Sequence, residues 1–246
     1  GPLDPASSFE PDLASIDGDD GREIRIAALN VPNNPSGALV SPELVSALRA
    51  RLATPGWVFN DAVYGPLTFD RPAYSMLADD GAGAVVELHS LGKLFSLGPF
   101  GIAFLAGSED AVARVREFSD FATTQLTSLH VRTALRCLED WDHVGRTRDR
   151  LRSRIDRLRE TLEALGFAPY PTAAGMYLLC RAPGSIGGRP TRTADDAATT
   201  LLDEHGIAVA PWDVPPHRSL RFSAAYLDED LDALAASGGG RPLAAD

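Results

Sequence analysis

Residues Asn30 to Gly37 read NVPNNPSG, a stretch with three asparagines, two prolines and a closing glycine. These residue types supply fixed or positive φ angles, so a simple turn between two elements would explain all of them. A strand is predicted before the stretch by REIRIAAL (residues 22–29), a β-branched and aliphatic run. A helix is predicted after it by SPELVSALRARLA (residues 41–53), with Ser41 as N-cap and Pro42 as first helical residue. The stretch therefore follows the end of a strand.

The alternation of strand and helix continues along the chain. WVFNDAVYG (residues 57–65), GAVVELHS (83–90) and GIAFLAG (101–107) are apolar runs of strand length. Strands that alternate with helices favour an α/β domain with a largely parallel sheet.

A long helix and a second domain are predicted further on. Apolar residues at separations of four and three between residues 143 and 165 predict one amphipathic helix that ends at Gly166. Short strands then surround a predicted helix in TADDAATTLLDEHG (193–206). We predict a tag-like tail at residues 1–8, a first domain over 9–140, and the long helix with a smaller α/β domain over 141–246.

Two segments are predicted to lack regular structure. APGSIGGRPTRT (residues 182–193) has the glycine, proline and threonine content of a loop, and SGGGRPLAAD (237–246) that of a frayed terminus. Cys137 and Cys180 stand far apart in apolar surroundings, which favours two buried thiols over a disulfide or a metal site.

Composition narrows the classes of partner. The formal net charge of −11 disfavours nucleic acid and anionic membranes as partners. The sequence has neither the ~20 consecutive apolar residues of a membrane helix nor the pattern of a signal peptide. We expect a cytoplasmic protein without a membrane or nucleic-acid partner.

Polar side chains stand where three of the predicted strands end. They are Asn34 in PNNPSG, Asp61 and Tyr64 in NDAVYG, and Ser90 and Lys93 in HSLGK. Each alone has an ordinary explanation, as a turn residue, a cap, a core aromatic or a surface charge. Ligands of open parallel sheets bind outside the carboxyl ends of the strands, however, so a shared site is the alternative.

Taken in order, these motifs resemble those of the fold type I pyridoxal-phosphate enzymes, which are aminotransferases and related lyases and synthases. VPNNPSG resembles the family's Asn-Pro-x-Asn-Pro-Thr-Gly segment, NDAVY its Asp-x-x-Tyr, and SLGK its Ser-x-x-Lys. GMYLLC resembles the small-domain strand after the long helix, and LRFSAA the strand that carries a carboxylate-binding arginine. The resemblance runs from about Phe9 to the C-terminus. It implies part of an aminotransferase-like large domain, with a mostly parallel sheet, and a smaller C-terminal α/β domain linked by a long helix.

The resemblance also implies roles for individual residues. Lys93 would form a Schiff base with pyridoxal phosphate and move the substrate proton. Asp61 would keep the ring nitrogen protonated, because a carboxylate beside a pyridinium raises its pKa. Asn34 and Tyr64 would donate to the phenolate oxygen of the ring. Arg221 would bind the substrate α-carboxylate through two parallel hydrogen bonds. The implied cofactor-binding set is Asn34, Asp61, Tyr64, Ser90 and Lys93, and no metal is expected.

Two departures from the family pattern concern the cofactor phosphate. Family members carry a long N-terminal stretch with the phosphate-binding turn and a ring-stacking aromatic residue, and neither has a counterpart in this sequence. Gly101 stands where the family has a phosphate-binding arginine, and Ala62 replaces a glutamate that usually follows the aspartate. The groups for the imine, the ring nitrogen and the carboxylate nevertheless remain.

We therefore predict the C-terminal half of a split or multi-chain aminotransferase-like enzyme that acts on an amino acid or keto acid. Another chain would supply the remaining groups, in a homo- or hetero-oligomer, and pyridoxal phosphate would bind weakly without it. Elimination or condensation at the substrate stays open beside transamination. The alternative of another class is a non-catalytic aminotransferase-like module that binds a partner within a biosynthetic assembly.

Overall fold

The computed structural model describes residues 5, 9–13, 23–78, 85–122, 126–214 and 216–245. They group into two compact units, each with its own packing. The sheet unit comprises the described residues of 12–33 and 38–149, and the C-terminal unit those of 1–11, 34–37 and 150–246. The domain limits of 9–140 and 141–246 stay a prediction. The interpretation of residues 1–8 as a tag-like tail lies, except for Pro5, outside the described residues.

A four-stranded sheet forms the centre of the sheet unit. Its strands are β1 (Ile24–Asn30), β2 (Leu52–Asp61), β3 (Val85–Ser90) and β4 (Ala103–Gly107), in that order across the sheet. β1 pairs with β2 and β2 with β3 in parallel, whereas β4 is antiparallel to β3. The predicted α/β class with a mostly parallel sheet is confirmed. Because β1, β2 and β3 are parallel, their carboxyl ends lie at the same edge of the sheet.

One face of this sheet packs against α1 (Pro42–Arg49). The helix begins as predicted, since Ser41 Oγ accepts a hydrogen bond from the Leu44 amide at 3.1 Å. Its buried Val45 packs with Val58 of β2 and Val85 of β3. This core fixes α1 against strands β2 and β3.

The remaining helices of the sheet unit follow β3 and β4. They are α2 (Leu91–Leu94), α3 (Glu109–Ala122), α4 (Ser128–Glu139) and α5 (Trp141–Ala164), the last being the predicted long helix. Residues 141–149 of α5 group with the sheet unit and the rest with the C-terminal unit.

Helix α4 buries none of its side chains within the part of the chain that the structure describes. Val131, Leu135 and Leu138 recur at separations of four and three, so they share one side of the helix, and each is about half exposed. Cys137 on the same helix is also partly exposed, which corrects the prediction of two buried thiols. Cys180, by contrast, is buried as predicted, and burial raises the pKa of its thiol well above the usual range.

The C-terminal unit contains a second four-stranded sheet, which is antiparallel throughout. Its order is β5 (Ala168–Pro169), β6 (Tyr177–Arg181), β10 (His217–Ser223) and β9 (Ala210–Val214). Two helices complete it, α6 (Ala194–His205) and α7 (Asp228–Ala236). The Thr193 side chain and Asp196 form a capping box at the start of α6.

Two predictions of irregular structure are wrong. The predicted loop at 182–193 holds a small hairpin of β7 (Ser185–Ile186) and β8 (Arg189–Pro190). β11 (Ala244–Ala245) pairs with β7, so the chain end is ordered rather than frayed. The amides of Leu243 and Ala244 donate to the Leu165 carbonyl at 2.8 and 2.9 Å, which satisfies a backbone oxygen beyond the end of α5.

Among the helices of the described ranges, none is both long and apolar enough to cross a membrane.

Candidate active site

The end of β2 places a partly buried carboxylate. The Asp61 carbonyl accepts hydrogen bonds from Asn30 Nδ2 at 3.0 Å and from the Val31 amide at 3.2 Å, so its backbone is tied to the end of β1. Its carboxylate Oδ1 is buried and has no hydrogen-bond partner among the described residues. A buried oxygen without a donor costs free energy. Asp61 Oδ1 is therefore suited to a donor that arrives with a ligand.

The turn after β2 buries a phenol ring. Ala62 continues the sheet, since its amide donates to the Leu88 carbonyl at 2.9 Å. Tyr64 follows and is only 3% exposed. The Leu67 amide donates to the Tyr64 carbonyl at 2.8 Å and closes the turn. The turn thus buries Tyr64 three residues after Asp61.

The end of β3 carries the predicted serine and lysine. β3 ends at Ser90, and Lys93 lies in the single-turn helix α2 with its side chain half-buried. The Leu91 amide donates to the Ile102 carbonyl at 3.1 Å, which holds the start of α2 against the chain before β4. Asp61 is in register with Leu88, so Asp61 and Ser90 are on adjacent strands at the same edge of the sheet.

Lys93 is also the single lysine among the 246 residues, against 22 arginines. An amine that can act as a nucleophile or accept a proton is supplied by Lys93 alone among the side chains. The amino-acid composition alone is enough to single out Lys93 in this way.

The second half of the opening stretch, Asn34–Gly37, groups with the C-terminal unit. Gly37 has a φ of +70°, and a Cβ there would lie 1.9 Å from Thr172 Oγ1 and 2.7 Å from the Ala174 carbonyl oxygen. Only glycine fits such a close approach in this conformation. NVPNNPSG is thus a turn, as its composition indicates, but one that also places a side chain of the predicted site.

That side chain is Asn34, whose Oδ1 accepts a hydrogen bond from Arg221 Nη1 at 3.1 Å. The Arg221 guanidinium also lies over the ring of Tyr177, 4.4 Å from its centroid. Two predicted residues separated by 187 positions are therefore in contact. Asp61, Tyr64, Ser90 and Lys93 belong to the sheet unit. The meeting of Asn34, Asp61, Tyr64, Lys93 and Arg221 in one cleft stays a prediction.

The model of the family "Aminotransferase class I and II" matches residues 2–237. The chain belongs to this family. Enzymes of the family depend on pyridoxal phosphate, and the resemblance read from the sequence motifs is confirmed.

Curated aminotransferases are similar over most of the chain. LL-diaminopimelate aminotransferase of Methanocaldococcus jannaschii is 30% identical over 234 residues, which are 93% of this chain and 55% of that protein. The enzyme of the same name from Dehalococcoides mccartyi strain 195 is 29% identical over 94% of this chain and 60% of its own. The chain thus spans about half the length of the curated relatives it matches.

Solved aminotransferases share the fold. A structure from Staphylococcus aureus has a TM-score of 0.85 at 22% identity and covers 99% of this chain and 65% of its own. N-succinyldiaminopimelate aminotransferase from Mycobacterium tuberculosis has a TM-score of 0.76 at 24% identity, over 87% and 57% of the two chains. At these identities the likeness shows the fold alone.

The residues of this aminotransferase-family chain fit the ring and the aldehyde of pyridoxal phosphate better than they fit its phosphate. The unpartnered oxygen of Asp61 suits a protonated ring nitrogen, and Lys93 supplies the amine. Gly101 has a φ of +58°, in a turn that favours glycine, and a Cβ there would meet open space. Position 101 therefore offers no side-chain group to the cofactor phosphate.

Sequence reasoning missed a buried carboxylate in the sheet unit. Glu87 of β3 is 1% exposed and accepts hydrogen bonds from the Met76 amide at 2.8 Å and Ser75 Oγ at 3.0 Å. His89 Nε2 lies 3.3 Å from its Oε2. Burial opposes ionisation, but the hydrogen bonds, that of His89 foremost, hold the pKa of Glu87 below its usual value. The signal in the sequence is one acidic residue inside an apolar strand.

Replacing this carboxylate with an amide is expected to remove a pH-dependent part of the stability. A lowered pKa in the folded state stabilises the fold above the unfolded-state pKa, and this gain is lost as the pH falls through the folded-state pKa. Glu87→Gln should lower the free energy of unfolding by about 1–3 kcal/mol at pH 7 and by less near pH 4. Urea denaturation at both pH values measures the difference. The exposed Glu117→Gln is the control, and equal losses at both pH values would contradict the explanation.

Proposed function

We propose that this chain carries the lysine, ring-nitrogen and carboxylate groups of a pyridoxal-phosphate-dependent aminotransferase. The observation that carries the proposal is the buried, unpartnered Oδ1 of Asp61 on the strand adjacent to the one that leads to the chain's single lysine. A buried acceptor without a donor and a unique amine are costly or improbable features of a purely structural protein.

Each residue has a definable task at neutral pH. The cofactor, when bound, supplies an electron sink that stabilises negative charge at the substrate α-carbon. Lys93 would hold the cofactor covalently, and its amine, once displaced by the substrate amine, would carry the proton to and from that carbon. Asp61 Oδ1 accepts a hydrogen bond from the protonated ring nitrogen and favours that protonation state. Asn34, Tyr64 and Ser90 supply further polar groups for the cofactor.

The substrate is an amino acid or keto acid with a free α-carboxylate. Arg221 binds it, since a planar guanidinium presents two parallel donors to one carboxylate. The contacts with Asn34 and the Tyr177 ring orient the guanidinium before the substrate arrives. The names of the curated relatives make LL-diaminopimelate the first substrate to test.

The rest of the site comes from polypeptide outside these 246 residues, in the same protein or in a second chain. Two observations support this part of the proposal: the chain matches about half of its relatives' length, and the sheet unit exposes much apolar surface. The large exposed side chains near α3 and α4 are Phe118, Phe121, Leu126, Leu129, Val131, Leu135, Leu138 and Trp141. Exposed apolar residues in such number mark a surface that another polypeptide covers.

The decisive experiment is covalent capture of pyridoxal phosphate. The protein is mixed with the cofactor and reduced with borohydride, and peptide mass spectrometry locates the attached group. We expect attachment at Lys93 in preference to the α-amino group, and amino-group transfer from LL-diaminopimelate to a 2-oxo acid once the remaining part is supplied. Capture without transfer would favour elimination or condensation chemistry. Equal labelling of both amines would favour the non-catalytic module.

Changing Arg221 is expected to weaken substrate binding more than turnover. Arg221→Lys keeps the charge but loses the paired donors, and we expect KM to rise by about 10- to 100-fold with a smaller change in kcat. Steady-state kinetics of the assembled enzyme measures both. Arg218→Lys on the same strand, whose arginine donates to the Thr191 and Arg192 carbonyls, is the matched control. An unchanged KM in Arg221→Lys would show that the carboxylate binds elsewhere.

A further inference from the structure

A buried amide side chain joins the ends of the three parallel strands. Asn60 of β2 is 1% exposed, and its Oδ1 accepts a hydrogen bond from the Val31 amide at 3.1 Å. Its Nδ2 donates to the Val31 carbonyl at 3.3 Å and to Glu87 Oε1 at 3.5 Å. Asn60 and Glu87 are directly in register on β2 and β3. One side chain of β2 thus connects the end of β1 to Glu87 of β3.

Glu87 extends this connection to two further elements. It receives donors from Ser75 and the Met76 amide, which belong to the chain between β2 and β3. His89 completes the set and stacks on the Phe104 ring of β4, with ring centroids 5.2 Å apart. A buried carboxylate is tolerated only when several donors satisfy it. The donors come from β2, from the chain between β2 and β3, and from β3 itself, so Glu87 links these three parts of the unit.

Two members of this network stand directly before a predicted site residue. Asn60 precedes Asp61, and His89 precedes Ser90 at the start of α2. Side chains alternate along a strand, so the network and Asp61 occupy opposite faces of the sheet. The network lines a cavity of about 620 Å³ through Ser75, Glu87 and His89. Because the network and Asp61 are on opposite faces, the network can influence the position of Asp61 only through the backbone of the strands.

We propose that Asn60, Glu87 and His89 are positioning residues that hold the ends of β1, β2 and β3 in register. They thereby fix Asp61 and the start of α2, which carries Lys93. The roles of Asp61 and Lys93 rest on the proposed function, whereas the coupling of the strand ends does not. Two experiments separate these parts.

Hydrogen exchange of the cofactor-free chain tests the coupling. Glu87→Gln replaces one acceptor oxygen with a donor group, and we expect the amides of Val31, Ala62 and Met76 all to exchange about three- to tenfold faster. Acceleration confined to Met76 would show that Glu87 anchors only its own loop, and would overturn the proposal. If Glu87→Gln does not fold, His89→Phe serves, because it removes the donor and keeps an aromatic ring against Phe104.

Covalent capture of pyridoxal phosphate tests the consequence for Lys93. The measured quantity is the ratio of labelling at Lys93 to labelling at the α-amino group of the same chain, below the unfolding temperature. We expect about a tenfold lower ratio in Glu87→Gln and His89→Phe, and recovery in His89→Gln, whose amide nitrogen donates again. The exposed Glu117→Gln should keep the native ratio. A residue that serves stability alone would lower the melting temperature and leave the ratio unchanged.

The outcomes distinguish the two proposals. A native ratio near one contradicts the proposed function, and hydrogen exchange then decides on the coupling alone. A high native ratio that persists in Glu87→Gln and His89→Phe overturns the positioning role and leaves the proposed function standing.

Discussion

Replacing Lys93 with arginine should abolish amino-group transfer and the covalent capture of pyridoxal phosphate. The guanidinium stays protonated at neutral pH, so it neither attacks a carbonyl carbon nor accepts a proton. Loss of a positioned proton carrier typically costs 10²- to 10⁴-fold, and loss of the covalent attachment adds to it. We expect kcat of the assembled enzyme to fall by about 10³-fold to 10⁴-fold.

The chain offers a matched control, because its single lysine can be moved. The double variant Lys93→Arg with Arg114→Lys places the only lysine on the exposed face of α3, where Arg114 pairs with Asp110. It should remain inactive. A lysine-specific protease gives a second readout: it cleaves the native chain once, after Lys93, and a cofactor fixed there blocks the cut. Transfer activity in Lys93→Arg above about one hundredth of the native rate would contradict the assignment.

Affinity for pyridoxal phosphate should rise by several powers of ten when the remaining polypeptide is supplied. Each charge-assisted hydrogen bond to a phosphate contributes about 1.5–3 kcal/mol, and position 101 holds a glycine that contributes none. Loss of two or three such bonds corresponds to a factor of about 10² to 10⁶ in the dissociation constant. Isothermal titration of the 246-residue chain, alone and with a longer or complementary chain, measures the gain.

The mass in solution is a companion measurement. In the described part of the sheet unit, β1 and β4 each pair on one side only, and neither strand contains lysine or proline to discourage pairing. We expect the chain to assemble with a partner that covers these edges. A monomer that binds the cofactor with micromolar affinity unaided would show that this chain completes its own phosphate site.

The sequence predicted the elements whose signals are local. Ser41 and Pro42 start a helix through contacts within four residues, and the strand runs before Asn34, Asp61 and Ser90 are apolar enough to identify. The motif order then identified the family. These features depend on backbone preferences and periodicity, which a single sequence displays.

Features that depend on distant partners were missed. The chain end is rich in glycine, yet Leu243 and Ala244 are ordered because the Leu165 carbonyl, far back in the sequence, accepts their amides. Cys137 has apolar neighbours, yet it is partly exposed because α4 packs against little in the described chain. Glu87 in an apolar strand is satisfied by donors from Ser75, Met76 and Asn60. Such partners become visible only in three dimensions.

The grouping of residues 34–37 with residues 150–246 limits how this protein can be divided. A fragment that begins at Arg150 would contain Arg221 but lack its acceptor on Asn34, and it would leave open the space beside Thr172 that Gly37 occupies. A fragment that ends at Asp149 would carry the asparagine without its arginine. No single cut in the chain separates the two units, because residues 34–37 belong to the C-terminal unit but lie in sequence between two parts of the sheet unit. A gene fusion, a circular permutation or an expressed fragment that is meant to keep the C-terminal unit intact must therefore include these four residues.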